Sequence, residues 1–201
     1  MLVKLMTQIE DCLPEGGEWC TVEKAQTLAA MVVALRPSTI VEIGVWMGGS
    51  LIPMCLAAIT FNPSPTIIAI DPWSPGESVK GQSSADANWW KQADHEKAYQ
   101  VFVKRLEKHS LQNTVKVWRM PSDQAPDVPN IDLLHIDGNH SDQALRDVEH
   151  YSPFVNVGGL VILDDIGWTG GGVEKAKEAL LRFGYRQLYT LGSGAVFRRE
   201  A

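Results

Sequence analysis

Three aspartates and one histidine in the second half of the chain have the residue types and spacing to activate a hydroxyl group. Asp137 closes the apolar run that starts at Ile131, His140 follows three residues later, and Asp164-Asp165 close a second apolar run that starts at Leu160. If the two runs are neighbouring strands, three carboxylates meet at one sheet edge, where their repulsion calls for a cation or a proton between them. An all-oxygen set of Asp137, Asp164 and Asp165 suits Mg²⁺ or Mn²⁺, with Ca²⁺ also compatible, rather than zinc. A zinc site from His135, His140 and His150 fails on spacing, because His135 lies within a strand and His150 falls on a different helix face. Beside such a metal, His140 is the natural general base. Taken alone, the acidic pair reads equally well as a cap, and His140 as a residue preceding a helix.

A second group lies in the first half. Glu42-Ile43-Gly44-Val45-Trp46-Met47-Gly48-Gly49-Ser50 follows a β-branched run, and its glycines let a ligand approach backbone at the start of the next helix. No Gly-Lys-Ser/Thr follows, which excludes a P-loop, and Trp46 stands where Gly-x-Gly-x-x-Gly needs its second glycine. Asp71 ends the next apolar run, where a carboxylate can accept both hydroxyls of a ribose. Turn and acid together point to an adenosine-type cofactor. The competing reading is a packing glycine and a solvated aspartate.

The elements that position these residues alternate. Helical spacing predicts helices over 20–35 (ended by Arg36-Pro37), 51–60, 95–107, 141–154 and 173–183. Between them, apolar runs over 39–44, 66–71, 115–120, 131–137 and 160–164 predict strands. Such alternation predicts an α/β fold, a Rossmann-like, doubly wound and mostly parallel sheet with helices on both faces. Residues 185–191 and 195–199 around Gly192-Ser193-Gly194 read as a C-terminal antiparallel hairpin. Segment 74–94 is polar and glycine-bearing but contains Trp89-Trp90, and it is expected to be a lid-like insertion within one domain spanning 1–201. Trp118 and His135 are expected in the core or on a sheet face, Arg198-Arg199 at a solvated edge, and Cys55 on an apolar helix face without a base partner.

Composition narrows the partners. The chain has 201 residues, 45% of them hydrophobic, enough for a sizeable core. Acidic residues outnumber basic ones, 24 to 18, so the net charge of -6 disfavours nucleic acid and anionic lipid. No apolar run reaches the ~18 residues of a membrane span. The start of the chain, with Lys4, Glu10 and Asp11, lacks a signal-peptide layout. Three cysteines without Cys-x-x-Cys suggest reduced thiols, and a cytoplasmic location is expected.

From about Val22 onward the chain resembles the class I S-adenosylmethionine-dependent methyltransferases, in their metal-dependent O-methyltransferase-like branch. The motif Glu42-x-Gly44-x-x-x-Gly48-x-Ser50 is similar to the family's cofactor signature, Asp71 to its ribose acid, and Met120-Pro121-Ser122-Asp123 to the loop that borders the adenine. Ile136-Asp137-Gly138-Asn139-His140-Ser141 and Gly158–Asp165 resemble macrolide-sugar O-methyltransferases and cephalosporin-hydroxylase-like proteins. The resemblance implies cofactor contacts from Glu42, Gly44, Trp46, Gly48, Ser50, Asp71, Pro72, Trp73, Ser122, Asp123 and Asp137. It also implies Mg²⁺ (or Mn²⁺) on Asp137, Asp164 and Asp165, and catalysis by His140 with Asp137. Catechol-type relatives carry Asn at the last ligand and Lys at the base position, so Asp165 and His140 side with the sugar-acting group. The implied activity is methylation of a small-molecule hydroxyl of sugar or natural-product type, and assembly with further copies of the chain is left open. The alternative is a non-catalytic S-adenosylmethionine or nucleoside-binding module. A dehydrogenase is disfavoured, since its fingerprint is not matched.

Overall fold

The apolar runs pair as predicted, and all but the edge run at Val115–Trp118 are largely buried. In the computed structural model, which describes residues 2–13 and 19–201, β1 (Thr39–Ile43), β2 (Thr66–Ile70), β3 (Val115–Trp118), β4 (Ile131–Ile136) and β5 (Val155–Leu163) are parallel. The hairpin of β6 (Tyr185–Leu191) and β7 (Gly194–Arg199) adds β7 antiparallel to β5. The seven-stranded sheet has the order β3-β2-β1-β4-β5-β7-β6. Strand order reverses between β1 and β4, and in such sheets ligands bind outside the carboxyl ends at that switch point. Gly44 and Asp137 stand there side by side.

The described residues also form eight α-helices: α1 (Leu2–Cys12), α2 (Val22–Leu35), α3 (Leu51–Phe61), α4 (Pro75–Ser78), α5 (Ser84–Gln92), α6 (His95–Lys108), α7 (Asp142–Tyr151) and α8 (Gly172–Arg182). One face of the sheet packs on α1, α2, α3 and α6 through residues such as Ile9, Leu28, Met54 and Phe102, and the other on α7 and α8 through Val148 and Leu180. Pro53 is tolerated in α3 because the first helical turn needs no intrahelical N–H there. Thr21 caps α2 by accepting from the Lys24 N–H at 3.1 Å, and Arg36, left-handed at φ 51°, ends it before Pro37.

Several boundaries differ from the sequence reading. The third strand stops at Trp118, because the Met120 N–H folds back to the Trp118 carbonyl at 3.0 Å. The fifth begins at Val155, with its register against β4 shifted between Ile131 and Leu133. Helix α1, not anticipated, is amphipathic and buries Leu5, Ile9 and Cys12 at helical spacing. The 74–94 segment, expected as a lid-like insertion, holds α4 and α5, the latter capped by Ser83. Arg199 is not simply solvated: it donates to the carbonyls of Pro153, at 2.9 Å, and Val155. Cys55 is fully buried on α3, as expected. No helix among the described residues is long and apolar enough to cross a membrane.

Candidate active site

The turn after β1 is held by the acid at the end of β2. Asp71 Oδ2 accepts from the backbone N–H groups of Val45 and Trp46, both at 2.9 Å, and Oδ1 accepts from Trp73 at 2.7 Å. These donors occupy most of the carboxylate's capacity and leave room for about one more. Burial raises the Asp71 pKa, and the three N–H groups oppose that shift. Trp46 and Trp73 are both left-handed, at φ 48° and 43°, and the Trp73 indole donates to the Trp46 carbonyl at 2.8 Å. Two non-glycine residues in that region mark a constrained turn. Gly44, at φ +84°, has no alternative, because a Cβ there would overlap the backbone of Asp137 and Gly138.

Beneath the turn runs a line of alternating charge. Glu42 and His135 are register partners on β1 and β4, fully buried, with His135 Nδ1 3.3 Å from Glu42 Oε2. Its Nε2 lies 2.6 Å from Asp164 Oδ2, and the Lys24 ammonium is 2.7 Å from the same Asp164 oxygen and 3.6 Å from Asp137 Oδ2. Burial alone would lower the His135 pKa, but Glu42 and Asp164 together raise it to about 10. Burial would raise Asp164, yet His135 and Lys24 hold it well below the usual carboxylate range. Asp137 moves the other way, raised by burial and by Asp164. The third acid, Asp165, accepts from Ser193 Oγ at 3.0 Å and pairs with His140 Nε2 at 2.9 Å, and the hydrogen bond from His140 lowers its pKa.

The three acids stand at the ends of neighbouring strands β4 and β5, but they do not form one ligand set: Asp137 belongs to two separate groups. Asp137, His140 and Asp165 present ligand atoms within 4.8 Å of one another, as do His135, Asp137 and Asp164. Four carboxylates, of Glu42, Asp137, Asp164 and Asp165, crowd around the two cationic partners Lys24 and His135. Asp164 Oδ1 is buried without a partner among the described residues. A divalent cation fits both features: an orphaned acceptor and a crowding of carboxylates that raises the Asp137 pKa.

Asp137, His140, Asp165 and Lys24 open into one cavity of about 550 Å³, whose lining does not include Asp164. Of the residues expected from sequence, Gly44, Trp46, Ser50, Asp71, Pro72, Ser122, Asp137, His140 and Asp165 line it. Glu42 is turned away, accepting from Ser50 Oγ at 2.6 Å. Gly48 makes room for Phe102, Trp73 is buried against Tyr99 and Phe102, and Asp123 is exposed outside the cavity. Residues that sequence reasoning missed also line it: Lys24, Trp19, Gln143, Asp147 and Trp168. Trp19, Trp46, Trp89 and Trp90 form a wall with ring centroids 4.8–6.5 Å apart, and the buried Trp46 Nε1 has no partner among the described residues. Pairs of tryptophans from separate segments have no sequence signature. A Trp-Trp dipeptide in a polar stretch is the one signal that could have found part of it.

The comparisons agree with this geometry. Residues 41–166 match the family described as "Methyltransferase domain". Among solved structures, the chain is similar to the O-methyltransferase NovP, at 18% identity and TM-score 0.68 over 90% of this chain and 81% of that one. It is also similar to the SAH-bound methyltransferase PaMTH1 of Podospora anserina, at 14% identity and TM-score 0.69 over 100% and 88%. The O-methyltransferase TomG of Streptomyces achromogenes, in complex with SAM, shares 13% identity at TM-score 0.64 over 90% and 81%. A comparison with curated proteins found no match. The family match spans the turn after β1, the end of β2 and all three acids, and the chain belongs to the methyltransferase-domain family.

Proposed function

We propose that the chain is an S-adenosylmethionine-dependent O-methyltransferase acting, with the help of Mg²⁺ or Mn²⁺, on a hydroxyl of a small sugar-type or natural-product acceptor. The observation that carries this reading is that the Gly44 turn, Asp71 and the Asp137–His140–Asp165 group face a single cavity at the switch point of the sheet. NovP and TomG, both O-methyltransferases and the latter holding SAM, share the fold.

Gly44 lets the cofactor reach the backbone, and Asp71 offers its remaining lone pair to a ribose hydroxyl. Ser122, fixed to Asp147 Oδ1 at 2.6 Å, stands on the cavity wall at the expected adenine end. Asp137 and Asp165 on the cavity wall, with Asp164 behind them, would hold the divalent ion. When bound, that ion lowers the pKa of the acceptor hydroxyl, and the cofactor supplies the methyl group. His140 is placed to take the hydroxyl proton, with Asp165 holding the imidazole in position. The tryptophan wall, carried partly by the 74–94 segment, excludes water from the cavity.

Calorimetry with S-adenosylhomocysteine tests the cofactor half of the proposal, with NAD as control. Heat with the former alone is expected; a folded sample silent to it would sink the reading. Mn²⁺ should raise the melting temperature of the wild type and not of Asp137→Asn.

A further inference from the structure

Lys24 occupies a position that a lysine does not choose for itself. It sits in the first turn of α2, where the partial positive charge of the helix terminus opposes an ammonium. Only 13% of its side chain is exposed, so water does not compensate. Two carboxylates from other elements do: Asp164 Oδ2 at 2.7 Å and Asp137 Oδ2 at 3.6 Å. Asp164 Oδ1 is buried and unpartnered among the described residues, and Asp137 also converges with Asp165 and His140 on the cavity wall. The cluster thus has one cation supplied by the chain, and one of the two acids it pairs with, Asp137, lines the cavity.

We propose that Lys24 is a resident cation of this acid cluster, a positioning residue that holds Asp137 and Asp164 in place when no divalent ion is bound and weakens the hold on such an ion when one is. The second half rests on the metal-assisted reading above. A fixed positive charge within a few ångströms of a second cation raises that cation's energy, and it engages carboxylate electron pairs that the ion would otherwise share. The consequence is an exchangeable divalent ion in a site whose acids stay ordered without it.

Titration of the full-length chain with Mn²⁺ alone, followed by the free-ion paramagnetic resonance signal, separates this role from simple packing. Lys24→Met should bind Mn²⁺ roughly tenfold or more tightly than the wild type, because a nearby repulsion is gone. In chelator it should melt below the wild type, and Mn²⁺ should return more stability to it than to the wild type. Lys24→Arg, which keeps the charge, should retain wild-type affinity. If Lys24→Met does not fold, Lys24→Gln keeps a donor for Asp164 and serves for the same titration, with the same tightening expected. An unchanged or weaker Mn²⁺ affinity in the neutral variant would overturn the role of Lys24 and leave the metal site standing. No Mn²⁺ binding by wild type or variant would overturn the metal-assisted reading together with the competition.

Discussion

His140 Nε2 lies 2.9 Å from Asp165 Oδ2, and the ring of Trp168 packs on the same imidazole with 4.5 Å between centroids. A group proposed as base and a group proposed as metal ligand thus touch, and the ring is clamped from a second side. Asp165 is itself left-handed at φ 55° and braced by Ser193 from the turn of the C-terminal hairpin. The hairpin is therefore part of the site's support.

If His140 removes the acceptor proton, His140→Ala should lose ~10²–10⁴-fold in kcat while binding S-adenosylhomocysteine as before. Single-turnover methyl transfer and calorimetry on the same sample check both. A variant of full activity would remove the base from His140 and leave Asp165 free for the metal alone.

Gly44 joins the two halves of the site, since its φ of +84° and its contact with the Asp137 backbone both forbid a side chain. Gly44→Ala should cost ~1–3 kcal/mol for the backbone conformation alone. The overlap with Asp137 adds to that. Chemical denaturation should show the lowered midpoint, and the surviving folded fraction should lose both S-adenosylhomocysteine and Mn²⁺ binding. Loss of one without the other would mean that the turn and the acid cluster are not coupled through this contact.

The parallel sheet and the strand-end acids were legible in sequence because each depends on a local pattern: a β-branched run, then glycine or aspartate. Partnerships between distant segments were not. Glu42 belongs by sequence to a cofactor motif, but its partner His135 lies 0% exposed on the adjacent strand, a pairing fixed by sheet register. Lys24 reads as one more polar residue on an amphipathic helix, and only the docking of α2 beside the ends of β4 and β5 makes it a counter-ion. The wall of tryptophans was half visible, in Trp89 and Trp90, because two indoles in a polar stretch are costly to leave in water. Trp19 and Trp46, which complete it, come from elsewhere in the chain.

Asp147 gives a pH dependence of stability with a definite sign. Its Oδ1 accepts from Ser122 Oγ at 2.6 Å and Gln143 Nε2 at 2.8 Å, yet burial raises its pKa to about 6. An unfolded aspartate titrates near ~3.9, so between those values the folded chain binds the proton more tightly. Its contribution to stability is greatest below about pH 4 and is lost as pH rises through about 6. Asp147→Asn, neutral throughout, should gain on the wild type over that interval, by roughly 2–3 kcal/mol at most. Urea midpoints of both proteins from acid to neutral pH measure the difference. A gap that stays constant with pH would show that Asp147 does not take up a proton there.

One polar side chain ties the 74–94 segment to the site. Asn139, in the loop between β4 and α7, directs its Nδ2 at the carbonyls of Glu77, Ser78 and Lys80, at 3.0, 3.2 and 2.9 Å. Its Oδ1 accepts from Gln82 Nε2 at 3.2 Å and from the Ser141 N–H at 2.9 Å. These bonds satisfy the carbonyls at the end of α4 and set that segment beside Asp137 and His140. The other tether is aromatic, Trp89 and Trp90 against Trp19 and Trp46, so loss of the amide should free α4 and its following turn before α5. Asn139→Ala should then open the segment locally while the sheet stays folded, since few core contacts depend on it. Limited proteolysis should cut faster within 74–94, with a melting temperature close to wild type, and S-adenosylhomocysteine with Mn²⁺ should slow the cutting if the segment closes over them. A cutting rate equal to that of the wild type would show that the tryptophan wall alone holds the segment.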